Sequence, residues 1–178
     1  RVLFRSLPGS TSTRNKREAT KGKQTGRTIE IQRLIGRSLR TVVDLKKIKG
    51  CQLILDCDVI QADGGTRTAS ISGAFVALSL AVKKLLNNKT LTENPIKDYL
   101  SAISCGIVNG EIYVDLDYIE DSKANVDANF IFSKSSGIAE VQISGEGFTF
   151  KSEDINKMLQ MSENSVKKIF EIQEKVLS

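Results

Sequence analysis

The dipeptide Asn109-Gly110 constrains this chain more than any other two residues. Both central positions of a type I′ turn need a positive φ, which asparagine and glycine tolerate, and that turn joins antiparallel strands whose twist it matches. The flanking segments 100–108 and 111–119 are therefore predicted to form a hairpin, and 128–133 and 138–144 form another around the turn Ser133 to Gly137. Residues 51–60 alternate, with Leu53, Leu55, Cys57 and Val59 on one face and Gln52, Asp56 and Asp58 on the other, as a strand does. Helical spacing takes over elsewhere. Ile31, Leu34, Ile35, Leu39, Val42 and Val43 predict an amphipathic helix over about 28–45. Arg33, Arg37 and Arg40 make a cationic stripe away from its apolar face. Residues 66–86, rich in Ala and Ser, predict a largely buried helix. Ser152 is the expected cap of a last helix running to about residue 176, with Ile155, Met158, Leu159, Val166, Ile169 and Phe170 inward. With two prolines and no repeat, the pattern is that of one α+β domain, residues 27–178, preceded by a basic loop segment, 1–26.

Charge is distributed unevenly. Residues 1–50 hold 14 Lys/Arg against 3 Asp/Glu, net +11, and residues 51–178 hold 12 against 18, net −6. Eight of the nine arginines lie in the first 40 residues. A cationic front on an acidic rest points to a polyanion partner, nucleic acid first. There is no histidine, which removes Ser-His-Asp and Cys-His nucleophilic sites, His-ligated zinc and imidazole-based nucleases. Cys51, Cys57 and Cys105 form no CxxC pair and read as buried free thiols. No apolar run is expected to reach membrane-spanning length and Arg1–Ser6 is too short for a signal peptide, so no membrane partner and a cytoplasmic location are the expectation.

Chemistry can reside in two places. Gly26-Arg27-Thr28 opens the first helix and Gly64-Gly65-Thr66-Arg67-Thr68 opens the second. A helix N-terminus offers free N–H groups and partial positive charge, so an arginine there is unfavourable unless an anion compensates, and a preceding glycine lets the backbone approach that anion. Both segments read as phosphate cradles. Neither is a P-loop, since Gly-Lys-[Ser/Thr] is missing, which disfavours a kinase. Residues 111–127 carry Glu111, Asp115, Asp117, Glu120, Asp121 and Asp127 against one lysine. Asp115 and Asp117 alternate with Val114 and Leu116 and are expected on one strand face. Most of such a group is a solvated edge, while one or two carboxylates suffice for Mg²⁺. Phosphate cradles and carboxylates without a general base suit a reaction whose nucleophile is inorganic phosphate, already anionic at neutral pH.

The residues at 10–19 (STSTRNKREA), 21–35 (KGKQTGRTIEIQRLI), 55–70 (LDCDVIQADGGTRTAS), 106–110 (GIVNG) and 115–121 (DLDYIED) resemble the ribonuclease PH family, colinearly from about residue 7 to the end. That family comprises phosphate-dependent 3′-to-5′ exoribonucleases and tRNA nucleotidyltransferases. The resemblance implies a ribosomal protein S5 domain 2-like βαβα fold. It implies phosphate binding by Arg27, Gly65, Thr66 and Arg67, and catalysis and Mg²⁺ binding by Asp121 and Asp127. Arg14 and Arg17 would handle RNA or subunit contacts in a hexameric ring, a trimer of dimers, that admits the 3′ ends of tRNA precursors. The alternative within the family is a non-catalytic RNA-binding ring subunit or an inactive fragment. Two departures stand out. Gly9 occupies a position where the family carries arginine. Residues 1–6 do not resemble the family, whose members place several strands ahead of this region, so an N-terminally truncated domain with uncovered sheet edge and helix face is expected.

Overall fold

The computed structural model describes residues 1–7, 9–11, 24–48 and 50–178. Its elements run β1 (Val2–Ser6), α1 (Gly26–Thr41), a 3-10 turn (Leu45–Lys47), β2 (Leu55–Val59), α2 (Thr66–Asn87), β3 (Leu100–Val108), β4 (Glu111–Val114), α3 (Tyr118–Asp121), β5 (Val126–Ser133), β6 (Gly137–Gly145) and α4 (Ser152–Leu177).

The Asn109-Gly110 turn forms with φ of 53° and 84°, both positive as a type I′ turn needs, and closes the β3–β4 hairpin. The strands assemble into an antiparallel sheet of order β4-β3-β5-β6 and a parallel pair, β1-β2. Helix α1 touches β1 on one side and β6 on the other, and α2 touches β2 and β3. Both helices thus lie between the two sheets, and α4 covers the far face of the larger one against β3, β4 and β5. The four layers enclose two cores. Ile31, Leu34, Ile35, Ile71, Phe75 and Leu100 pack between the sheets, and Cys105, Phe130, Met158, Val166 and Phe170 pack beneath α4. Full burial of each such side chain contributes about 1.5–3 kcal/mol.

Several expectations need correction. The first strand lies inside the segment read as basic loop: Val2 and Phe4 turn toward the core while Arg5 faces out and pairs with Asp58 on β2 at 2.9 Å. Helix α1 stops at Thr41, and Val42, read as its continuation, forms the C-cap. The second hairpin arm stops at Val114 and does not reach residue 119. Asp115 has a φ of 62°, and Asp117 caps α3 in a capping box with Glu120, so Asp115 and Asp117 share no strand face. Ser152 does not cap α4; Lys151 is the N-cap residue, and its N–H donates to Asp154 at 2.9 Å. Finally, α2 is long and apolar enough by length and composition to cross a membrane, contrary to the expectation that no run reaches that length. It packs β2, β3, α1 and α4 on one side, but only 28% of its apolar window is buried and Ala69, Gly73, Ala77 and Leu80 are exposed, so it is not the largely buried helix expected from its composition.

An open face is present beside the first helix and strand. The outer side of α1 and β1 borders a groove of about 740 Å³ lined by Val2, Leu39, Val43 and Leu53 with Arg33, Arg37 and Arg40. Within the arginine stripe, Arg37 is anchored to Glu140 on β6 at 2.6 Å.

Candidate active site

The site lies where the N-termini of α1 and α2 approach the start of β5. The turn before α2 is built for close approach. A Cβ on Gly64 would stand 1.9 Å from the Leu116 carbonyl oxygen, so only glycine fits. Gly65 has a φ of 69° and forms the N-cap of α2 without a side-chain capping bond. The first N–H groups of α2, at Thr66 and Arg67, are therefore left uncapped at the positive end of a 22-residue helix. The α1 terminus differs. There the Thr25 hydroxyl accepts the Thr28 N–H at 3.3 Å, so a side chain already serves part of that cradle and Arg27 stands exposed in the first turn.

Asp63 ties the glycine turn to α3. Its Oδ1 accepts the N–H of Gly64 at 2.9 Å and that of Tyr118 at 2.6 Å. The acidic segment divides by role. Glu111 accepts the Tyr113 hydroxyl at 2.9 Å, and Asp117 and Glu120 cap one another's backbone. Asp121, at the end of α3, remains exposed.

Asp127 is the electrostatic centre. It sits on β5 opposite Gly106 of β3 and Ser144 of β6, and Arg67 Nη1 lies 3.7 Å from its Oδ2. Burial pushes its carboxyl above the ordinary range; Arg67 and Arg27 pull it down, and Asp121 and Glu146 push it up. Thus Arg27, Arg67 and Asp121, up to a hundred residues from Asp127 in sequence, all act on its carboxyl, and Gly65 and Thr66 form the turn that leads into Arg67. Arg14 and Arg17 lie outside the described residues. Glu146 and Asp63 join the site although no local sequence pattern marks them for it. Asp63 precedes two glycines and by that pattern only breaks a strand. Counting straight back from the turn at Ser133 to Gly137 puts Asp127 opposite Ile143, but an irregularity between Ile131 and Phe132 moves the pairing to Ser144.

Two carboxylates facing arginines in a half-buried site can hold an anion on the arginine side and a cation on the carboxylate side. Among the described residues no group of three or more His, Cys, Asp or Glu side chains gathers as a full protein cage for a metal.

A model of the 3′ exoribonuclease family, domain 1, matches residues 1–84, and a model of domain 2 of that family matches residues 98–165. The chain belongs to the 3′ exoribonuclease family. Arg27 and Arg67 fall in the first matched unit and Asp121 and Asp127 in the second, so the site draws on both. Two solved structures share the fold. Rice (Oryza sativa) Rrp46 superposes with a TM-score of 0.70 at 16% identity, over 99% of this chain and 71% of that one. A chain of the Archaeoglobus fulgidus exosome with RNA bound to the active site superposes with a TM-score of 0.73 at 22% identity, over 96% of this chain and 70% of that one. The mixed α/β fold is that of exosome-type members of the ribonuclease PH family.

Proposed function

We propose that this 3′ exoribonuclease-family chain is a phosphate-dependent 3′-to-5′ exoribonuclease that trims RNA 3′ ends, tRNA precursors among them, and adds nucleotides in the reverse direction. The observation that carries this reading is the convergence of Arg67, at the uncapped terminus of α2, and Arg27 on Asp127. In the forward reaction an oxygen of hydrogen phosphate bonds to the phosphorus of the last phosphodiester. The bond from that phosphorus to O3′ of the preceding nucleotide breaks, O3′ takes the proton of the hydrogen phosphate, and a nucleoside 5′-diphosphate leaves. Arg27, Arg67 and the Gly65-Thr66 turn, with the uncapped N–H groups of Thr66 and Arg67, would hold the attacking phosphate and neutralise charge as it develops. No imidazole is needed.

The carboxylates fit a magnesium ion. Asp121 and Glu146 destabilise the ionised Asp127 as like charges, and Mg²⁺ takes one or two carboxylates with the remaining positions left to water and phosphate. Asp121 and Asp127 would hold it, and it would supply charge neutralisation at the scissile phosphate. Assembly into a ring around RNA is part of the same reading; the Archaeoglobus fulgidus structure that shares this fold is an exosome with RNA bound to the active site.

The test is single-stranded RNA with a 3′-OH, with and without inorganic phosphate. Trimming that requires phosphate and releases nucleoside diphosphates is expected. Arg67→Ala should lower it by about 10²–10³-fold while RNA affinity stays within a few-fold. Equal trimming without phosphate overturns the reading, and RNA binding with no trimming in either buffer leaves a non-catalytic ring subunit in its place.

A further inference from the structure

An aromatic ring stands in solvent on the short helix that ends in the carboxylate Asp121. Tyr118 opens α3 and is 66% exposed, and Ile119 beside it is 61% exposed. The backbone beneath this ring is held tightly. The Tyr118 N–H donates to Asp63 Oδ1 at 2.6 Å, the same oxygen accepts the Gly64 N–H, and the Asp117–Glu120 capping box closes the turn from the other side. Leu116 and Asp117 lie against Gly64, at the start of the loop that carries Thr66 and Arg67. Asp121 follows three residues later, on the face of the turn that Tyr118 occupies. The ring is thus exposed, mounted on a rigid turn, bonded through its backbone to the glycine loop, and one helical turn from a site carboxylate.

We propose that Tyr118 is a stacking platform for a base at the 3′ end of single-stranded RNA, placing the adjoining phosphodiester between Arg67 and the Asp121/Asp127 pair. This rests on the RNA-trimming reading and adds to it the group that engages the base. Every base has a π-face, so a stacking contact grips successive nucleotides without reading sequence, as a processive trimming site requires. The phenol hydroxyl has no part in the contact.

The experiment uses RNA ending in 2-aminopurine, whose fluorescence falls when it stacks, together with the kinetics of phosphorolysis. On the intact chain the probe is quenched. Tyr118→Ala abolishes the quenching and raises KM by about 10- to 100-fold with kcat within a few-fold, and Tyr118→Phe behaves as wild type. An RNA with an abasic 3′ terminus removes the difference between wild type and Tyr118→Ala. Circular dichroism melts of both variants establish that they fold. Unchanged quenching in Tyr118→Ala, or the same KM defect on abasic RNA, overturns the proposal. So does a change in particle size by light scattering with quenching intact, which makes the ring a subunit contact. Quenching without any phosphorolysis by wild type overturns the enzymatic reading and leaves the stacking site standing, whereas an unquenched wild-type complex overturns the stacking alone.

Discussion

Asp127 is the residue on which the site's opposing forces meet. Burial, Asp121 and Glu146 raise its proton affinity, and Arg67 and Arg27 only partly offset them. The folded chain therefore keeps a proton at Asp127 at pH values where the unfolded chain has released it, and stability falls as pH rises through the window between those two values. At neutral pH the full cost is present. Asp127→Asn is expected to raise the melting temperature at pH 7 while abolishing phosphorolysis, with the gain shrinking as the pH is lowered below the ordinary carboxylate value; a lower melting temperature at pH 7 would contradict this. Cys105 shows the same burial without function: its thiol is pushed up to about 11, as suits an inert core residue. At this scale the sequence is legible wherever local chemistry decides. Glycine and arginine at the starts of both α1 and α2 together mark Arg27 and Arg67 as candidate anion ligands. Glu146 cannot be found that way, because its nearness to Asp127 depends on a one-residue shift in the β5–β6 register.

Among the elements, the β5–β6 turn is tied back to the start of β3 by Asp98. Burial pushes this carboxyl up, but the hydroxyls of Ser133 and Ser135 and the N–H groups of Ser135 and Tyr99 together hold it below the ordinary range. A depressed carboxylate contributes stability that is present above its unfolded value and lost as pH falls through the folded one. Asp98→Ala should cost about 1–3 kcal/mol at neutral pH in denaturant titrations, and the loss should fade in strong acid. A variant equally stable at pH 7 would show that the turn holds without it. Hairpins and long helices are legible in the sequence because their periods repeat over many residues. The end of β4 is not. Asp115 to Asp117 alternate like a strand, yet the capping box of Asp117 with Glu120 and the backbone bond to Asp63 favour a turn over two more strand residues.

Across the whole molecule, charge separates into a basic front and an acidic rest, and the site forms where they meet. RNA affinity should fall linearly with salt on logarithmic axes, and replacing Arg14 and Arg17 with Ala should flatten the slope by roughly 0.7 for each phosphate left without its arginine. An unchanged slope would place those arginines away from RNA. Strand β1 itself has no signature in the sequence, since five residues of mixed character become a strand only when β2 offers a parallel partner.

By itself the sequence determined the long helices and the hairpins, the family and the chemical cast: glycine turns, two arginines at helix starts, carboxylates and no histidine. Those follow from local periods, φ requirements and side-chain chemistry, which operate over a few residues. The family resemblance already names Asp121 and Asp127; only the tertiary structure brings Glu146 to Asp127. That takes the register of β5 against β3 and β6 and the burial that makes a neighbouring charge felt.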